Sequence, residues 1–450
     1  MTMQNRREFL KSSLLAAGGI MIGGTGLSTS AYAKVKKAND IIKVGLVGFS
    51  GRARSSLIPC FMANAKDMGF EIVAVSDIWS VRREEAVKYF KEQWGMDIKT
   101  YRNNDELYES KTCDAVIIST ADFQHATHLT EAAKAGVDAY CEKPFAETMD
   151  DAKMALKAVK KAGIVVQIGS QRRSAPNYMA AADYIQSGKF GPITMVEMCW
   201  NVNQPGRWRL PDLVSKCYEK DLDWKRFLCN RPYEDFDPRK YLEYRLFWPY
   251  SSGIPGQWMS HQIDTVHWFT GYNHPRSVAA NGGIYCWKDG RKNQDTLTAV
   301  FDYGNKEMTE GFQVVYSSRF HNSAGGVKEL YFSNGGTLNL ETNTVTSEGG
   351  LKESNAAAMG MKANLLESFT LPSVSVGTDA NLGKDPMTTL HMRNWMECVR
   401  TRRETHAPIE AGYNHSIATI MCNAAVRTGE KATFDEKSQN VIVAGKVFKY

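Results

Sequence analysis

The first third of the chain alternates short apolar runs with helical segments, and this alternation constrains the fold more than any other feature. The runs are continuously apolar, as in parallel strands that are covered on both faces. Two helical segments between them end at Gly136 and Gly163, and glycine commonly ends a helix. The pattern predicts a doubly wound α/β domain over residues 41–163. The five runs are residues 41–47, 71–76, 115–119, 137–141 and 164–168.

From residue 193 onward the hydrophobic period changes. Segments 296–303, 310–316 and 328–332 alternate, which predicts antiparallel strands with one apolar face. An open apolar sheet face tends to pair, so we expect a homo-oligomer, a dimer or a tetramer. Residues 203–250 are rich in Pro, Trp, Arg and Tyr without a sustained period, which favours a long ordered loop region that borders a site. A second domain is therefore expected over residues 164–450.

The N-terminus has the three parts of an export signal: a basic head, a short apolar body and a small-residue cleavage site. These are Arg6-Arg7, the glycine-rich run 12–27 and Ala31-Tyr32-Ala33. Paired arginines followed by Phe-Leu-Lys resemble a twin-arginine signal. We expect residues 1–33 to direct the folded chain through the twin-arginine export machinery to the periplasm. An uncleaved anchor or a chance arginine pair is the alternative.

Composition excludes several other classes. Apolar residues make up 43% and charged residues 23%, as in ordinary soluble domains. The formal charge of +6 is scattered, and no Lys/Arg tract of five or more occurs, so a nucleic-acid partner is not expected. The nine cysteines are odd in number and irregularly spaced, and His267, His274 and His321 have no ligand-like spacing, so no metal site is expected.

A glycine turn follows the first predicted strand. Gly48, Ser50 and Ala53 occupy the three small-residue positions of the dinucleotide-binding pattern, although a plain glycine turn would look similar. Asp77 ends the second strand 29 residues after Gly48, where a carboxylate can bind a ribose diol. An ordinary helix cap is the alternative for Asp77. Because its charge would repel a 2′-phosphate, we expect NAD rather than NADP, although Arg82 and Arg83 follow closely.

Further motifs lie at residues 116–144, which end in Glu142-Lys143-Pro144, at residues 167–173, at Asp223-Trp224, at residues 261–264 and at residues 400–435. The resemblance that these motifs carry is to the Gfo/Idh/MocA oxidoreductase family. It implies an N-terminal Rossmann domain and a C-terminal α/β domain with an open, mostly antiparallel sheet. It also implies a nicotinamide cofactor and a carbohydrate or polyol substrate.

The resemblance also implies two sets of site residues. The cofactor set, together with the glycine turn, is Gly48, Ser50, Gly51, Arg52, Asp77, Thr120, Phe123, His125, Glu142, Lys143 and Gln171. The substrate set is Arg172, Trp200, Gln257, Trp258, His261 and Asp264.

His261 and Asp264 stand one helical turn apart, so an imidazole could take a hydroxyl proton while the carboxylate orients it. The alternative is a structural histidine, whose ring is hydrogen-bonded in a helix-capping network. Many relatives carry Asp at the place of Gln257, which cannot titrate, and this departure shifts the proton chemistry toward Lys143. We therefore expect Lys143 and His261 to be catalytic, with Asp264 orienting.

These features predict a periplasmic, NAD-dependent oxidoreductase that acts on a secondary alcohol of a sugar, glycoside or polyol and retains its cofactor. A redox glycosidase that oxidises, eliminates and re-reduces is the alternative enzyme. A non-catalytic sugar-binding protein built on the same fold is the third interpretation.

Overall fold

The computed structural model describes residues 40–372 and 385–449. The predicted export signal, residues 1–33, lies outside the described residues. The described residues fall within one compact unit. Within these ranges, no helix is long and apolar enough to cross a membrane.

The N-terminal half contains a six-stranded sheet in which every neighbouring pair is parallel. The strand order is β3-β2-β1-β4-β5-β6, so the order reverses between β1 and β4 and opens a crevice at the carboxyl ends of these strands. The predicted doubly wound sheet is confirmed. The strands are β1 (Ile42–Val47), β2 (Phe70–Ser76), β3 (Lys99–Tyr101), β4 (Ala115–Ile118), β5 (Asp138–Cys141) and β6 (Val166–Ile168).

Helices connect these strands on both faces of the sheet, and the short exposed strand β3 is the one element that the apolar pattern missed. Thr148 accepts a hydrogen bond from the backbone of Asp151 and begins the helix before β6, as its spacing suggested. The helices are α1 (Ile58–Met68), α2 (Ser80–Trp94), α3 (Asn104–Glu109), α4 (His125–Ala135) and α5 (Met149–Ala162).

The domain boundary expected between residues 163 and 164 needs correction. Strand β6 follows that point, yet it pairs with β5 and completes the first sheet. A late helix, Pro386–Thr401, also returns to pack against α1. Its Trp395 lies 6.3 Å from the ring of Phe70 and belongs to the buried core beneath β1 and β2. The first domain is therefore discontinuous, because its apolar surface is covered by a segment from the far end of the chain.

The C-terminal half contains an eleven-stranded open sheet, and its only parallel pair among the described strands is β7 with β10. The expected mostly antiparallel sheet is confirmed. Its first strands are β7 (Ile193–Asn201), β8 (Ser277–Gly283), β9 (Thr296–Gly304), β10 (Gly311–Arg319) and β11 (Val327–Ser333). The edge strands are β12 (Gly336–Asn339), β13 (Thr344–Thr346), β14 (Phe369–Thr370), β15 (Ala432–Asp435), β16 (Asn440–Val443) and β17 (Lys446–Val447).

One face of this sheet is buried beneath helices, because alternate strand residues such as Val314 and Tyr316 share a core with Ile263 and Met421. The remaining helices, in chain order, are α6 (Pro176–Gln186), α7 (Pro211–Val214), α8 (Trp224–Leu228), α9 (Pro238–Leu242), α10 (Ser260–Thr270), α11 (Glu353–Ala358), α12 (Pro386–Thr401) and α13 (Ile409–Thr428).

Residues 203–250 form the expected ordered loop region with the short helices α7, α8 and α9. An aromatic cluster anchors this region on the first domain. Trp224 and Phe227 of α8 pack there with Trp79 and Phe123, which follow β2 and β4. The anchoring places the loop region over the crevice between the two halves.

Candidate active site

The turn after β1 has the geometry of a phosphate-binding turn. Gly48 has a φ of 88°, and a Cβ on it would lie 2.7 Å from Cγ2 of Thr120, so glycine is required there. Ser50 Oγ accepts from the backbone nitrogen of Ala53 at 3.2 Å, where the helical segment Ala53–Leu57 begins and continues into α1. A Cβ on Gly51 would meet nothing within 4 Å, so the turn is open to an approaching phosphate.

Asp77 ends β2 beside this turn. Its carboxylate accepts from the backbone nitrogens of Phe49 at 2.8 Å and Trp79 at 2.9 Å. With Gly48 and Gln124 it lines a cavity of about 350 Å³, which we call the adenosine pocket. Burial raises the pKa of Asp77, whereas the two backbone donors and Arg82 oppose that shift. The residues present thus fit the adenosine half of a dinucleotide.

A second cavity of about 460 Å³ adjoins the first, and we call it the catalytic pocket. The two cavities form one continuous cleft, because they share seven residues: Ser50, Gly51, Arg52, Ser119, Thr120, Trp208 and Arg245. Most of the predicted site residues line the catalytic pocket. They are Ser50, Gly51, Arg52, Thr120, His125, Glu142, Lys143, Gln171, Arg172, Trp200, Gln257, Trp258 and His261.

Lys143 reaches across from the first domain to the second. Its Nζ donates to the main-chain oxygen of Gln257 at 2.6 Å. Burial lowers the pKa of Lys143 to about 8, while the carboxylates of Glu142 and Asp122 limit the fall. Lys143 can therefore exchange a proton near neutral pH. Glu142 itself is held by Arg52, whose Nε lies 3.1 Å from Oε1.

His261, at the start of α10, faces the same cavity. Its ring stacks on Trp200 at a centroid distance of 5.8 Å, and Trp200 stacks on Trp258 at 5.7 Å. No hydrogen-bond partner of its ring lies within the described ranges. Burial and the charges of Lys143 and Arg172 hold the pKa of His261 well below its usual value, so the imidazole is neutral near pH 7.

Asp264 does not reach the pocket, contrary to its predicted orienting role. Arg173 binds its carboxylate in bidentate fashion, with Nε to Oδ2 at 2.8 Å and Nη2 to Oδ1 at 3.0 Å. Burial would raise the pKa of Asp264, but Arg173 and His415 hold it below its usual value. One turn of α10 separates it from His261, and at that point the helix faces α13 and the segment after β6. Asp264 therefore stabilises the domain rather than orienting the imidazole.

Phe123 is the second predicted residue that the structure places elsewhere. It is fully buried, with ring centroids 5.3 Å from Phe227 and 5.2 Å from Tyr250. It anchors the loop region and does not line either cavity. His125 lines the catalytic pocket, but its ring nitrogens contact main-chain oxygens, Nδ1 that of Pro144 at 2.8 Å and Nε2 that of Thr120 at 3.2 Å. It therefore ties two turns of the pocket wall together.

Sequence reasoning missed Asp122, Arg207, Trp208 and Arg245, which also line the catalytic pocket. Asp122 accepts from Ser251 Oγ at 2.6 Å and from the Gln257 amide. The oxygen of that amide accepts from Arg245 Nε at 2.9 Å. Gln257 is therefore hydrogen-bonded to a carboxylate of the first domain, whereas the acid of many relatives would come from the segment just before α10. Asp122 belonged to a motif that the sequence singled out, whereas the arginines and Trp208 lie in a region without a period.

A dinucleotide crevice that opens onto a lysine, a histidine and stacked tryptophans defines the class of nicotinamide-dependent oxidoreductases. Residues 42–170 match the family model described as "Oxidoreductase family, NAD-binding Rossmann fold", the Gfo/Idh/MocA family. The resemblance expected from the sequence is therefore confirmed over residues 42–170, the part of the chain that this family model matches.

Several known proteins are similar over longer stretches. Inositol 2-dehydrogenase of Salmonella typhimurium is 26% identical over 266 residues, which are 58% of this chain and 73% of the relative. The 1,5-anhydro-D-fructose reductase of Ensifer adhaerens is 32% identical over 195 residues, 41% of this chain and 56% of the relative. A solved levoglucosan dehydrogenase in complex with NADH and levoglucosan has a TM-score of 0.61 at 14% identity and covers 90% of this chain and 100% of its own. This last likeness shows that the two proteins share one fold over most of this chain.

Proposed function

We propose that this protein is an NAD-dependent oxidoreductase that acts on a secondary alcohol of a sugar, glycoside or polyol and keeps its nucleotide through the reaction cycle. The observation that carries the proposal is the position of Lys143 and His261. Both face one cavity that continues into the dinucleotide crevice, beside the stacked Trp200 and Trp258. The inositol and sugar oxidoreductases among the relatives support the substrate class.

The residues divide the chemistry between them. When bound, the nicotinamide ring exchanges a hydride with the alcohol carbon. Lys143 Nζ takes the hydroxyl proton during oxidation, because a pKa of about 8 leaves a useful fraction of it uncharged. The neutral His261 binds the same hydroxyl, and the tryptophans pack on the carbohydrate ring. Glu142, fixed by Arg52, holds a negative charge beside Lys143.

Mass spectrometry of the nucleotide released from the denatured full-length protein, combined with a sugar and polyol panel, tests this proposal. We expect about one NAD or NADH per chain and a change of nicotinamide absorbance with at least one carbohydrate. Release of the phenol from aryl glycosides without net NADH would instead establish a redox glycosidase. Protein that binds carbohydrate but never nucleotide would show a binding function.

We further propose export of the loaded enzyme to the periplasm. The support is the Arg6-Arg7 signal, together with a nucleotide cleft that the 203–250 region covers. A twin-arginine route exports folded chains, so the nucleotide would be bound before export and recycled by a second substrate. Periplasmic protein that is nucleotide-free and requires stoichiometric added NAD would refute this.

The adenosine pocket is expected to prefer NAD(H) over NADP(H) by at least about tenfold, since Asp77 would repel a 2′-phosphate while binding the free hydroxyl. Arg54 and Arg82 also line this pocket, but both contact Glu85, which offsets one of their two charges. Fluorescence titration of nucleotide-stripped protein measures the preference. Asp77→Ser should reduce the preference for NAD(H), whereas Asp67→Ser on the exposed face of α1 should leave this preference unchanged. Tighter binding of NADP(H) by the unaltered protein would contradict the assignment.

We also propose that the outer face of the second sheet pairs with another copy of the chain. Two cross-strand apolar pairs, Val300 with Val315 and Met195 with Phe332, lie half-buried on that face. Pairing would remove these side chains from water. Light scattering at micromolar concentration should give a dimer or tetramer mass, and Val315→Lys should shift it toward the monomer. A monomer mass for the unaltered protein would count against pairing.

A further inference from the structure

Two arginines from the 203–250 region form part of the catalytic pocket wall. The guanidinium of Arg207 lies 5.8 Å from the ring of Trp208 and 5.6 Å from that of Trp258. The guanidinium of Arg245 lies 4.6 Å from the ring of Tyr244, and its Nε donates a hydrogen bond to the side-chain oxygen of Gln257. Both guanidinium groups line the pocket beside the tryptophans on which we expect the carbohydrate to pack.

Neither arginine has an ion-pair partner among the residues that the structure describes. Arg207 donates from Nη1 to the neutral Gln204 at 2.7 Å, and its buried Nε has no hydrogen-bond partner in the described part of the chain. Asp122 is linked to Arg245 through the amide of Gln257. Burial, and then the charge of Arg245, lower the pKa of Arg207 to about 10, so Arg207 remains cationic near pH 7. The pocket therefore holds two like charges that an anion would stabilise.

Two other arginines of the same pocket, unlike Arg207 and Arg245 within the described residues, have carboxylate partners. Arg52 is paired with Glu142, and Arg172 is paired with the buried Glu329. Those guanidinium groups hold the pocket together and are already neutralised. Arg207 and Arg245 retain donors for a ligand, and a guanidinium offers the fork that suits carboxylate and phosphate oxygens.

We propose that Arg207 and Arg245 bind an anionic substituent of the carbohydrate, a carboxylate or a phosphate, and so make an acidic sugar the preferred substrate. The inference rests on the proposed function for the identity of the ligand as a carbohydrate. The sugar ring packs on the tryptophans, its hydroxyl faces Lys143 and His261, and its anionic group meets the two arginines. Arg207 and Arg245 are specificity-determining residues in this arrangement.

Binding of matched neutral and acidic sugars tests the proposal. The probes are glucose with glucuronate, galactose with galacturonate and mannose with mannuronate, which differ at one carbon, and glucose 6-phosphate separates a phosphate from a carboxylate. Tryptophan fluorescence of the NADH-loaded full-length protein reports binding, because three tryptophans line the pocket. We expect at least one acidic sugar to bind about 10- to 100-fold more tightly than its neutral partner, as charge-assisted hydrogen bonds imply.

Arg207→Gln should remove most of that difference while leaving the affinity for the neutral sugar within about twofold, and Arg207→Lys should restore part of it. Arg102→Gln makes the same charge change on an exposed side chain of the first domain and should alter neither affinity. The sugar affinities are measured without turnover, so they separate this site from the proposed reaction.

Three results would overturn the inference. The acidic sugars could bind no better than their neutral partners in every pair. Arg207→Gln could weaken both members of a pair equally, which would indicate a structural role. It could also weaken NADH alone, which would assign the arginines to the nucleotide phosphates. Charge-dependent binding of an acidic sugar without any oxidation would instead support the anion site and count against the proposed reaction.

Discussion

Replacing Lys143 with methionine is expected to slow hydride transfer by about 10²- to 10⁴-fold, the range for a general acid–base group, while the nucleotide stays bound. Methionine keeps the length of the side chain but has no proton to exchange. Lys143 faces the pocket with a pKa lowered to about 8 by burial, and its Nζ donates to the main-chain oxygen of Gln257. Single-turnover reduction of bound NAD by excess carbohydrate measures the step directly.

The pH dependence separates this role from a structural one. Because oxidation needs uncharged Lys143, its rate should rise with pH and reach half its maximum near pH 8. In the reduction direction the charged lysine supplies the proton, so that rate should fall over the same interval. Lys143→Met should lose both transitions. Gln257→Ala removes the hydrogen bonds to Asp122 and Arg245 but no group that titrates, so it should cost about tenfold and keep both pH transitions. Near-normal single-turnover reduction by Lys143→Met would refute the assignment.

Replacing His261 with alanine is expected to lower kcat/KM for the carbohydrate by about 10²-fold, the lower end of the range for acid–base groups. The effect should be smaller than that of Lys143 because burial and the charges of Lys143 and Arg172 keep His261 neutral. A neutral imidazole can share the hydroxyl proton and fix its direction, but it is a weak base. Steady-state kinetics of the nucleotide-loaded enzyme measure the loss.

Two further variants show whether the imidazole acts on the substrate. His261→Asn retains one donor and one acceptor and should recover part of the lost kcat/KM. His274→Ala removes a histidine that contacts Glu436 and does not line the catalytic pocket, so it should leave the kinetics unchanged. If His261→Ala retained full kcat/KM, His261 would only line the pocket, and Lys143 would carry the proton transfer without it.

The sequence by itself determined the local features. Continuous apolar runs predict parallel strands because both faces of such strands are buried, and this placed β1, β2, β4, β5 and β6. The glycine turn was also predictable, because the backbone at Gly48 tolerates no Cβ. Glu142-Lys143-Pro144 and His261 were recognised from motifs whose residues are adjacent in the chain. Each of these signals is complete within a few residues, so no knowledge of distant contacts was needed.

Only the tertiary structure decided which groups meet. Spacing placed Asp264 near His261 on α10, but Arg173, 91 residues earlier, holds its carboxylate outside the pocket. From the sequence, Gln257 replaces the acid that many relatives carry. In the structure its amide donates to the carboxylate of Asp122, which lies 135 residues earlier. Arg207 and Arg245 gave no signal, because aperiodic loops carry no pattern that fixes side-chain direction. These partners are far apart in sequence, so their meeting depends on how the loop region and the two sheets pack, which no local pattern encodes.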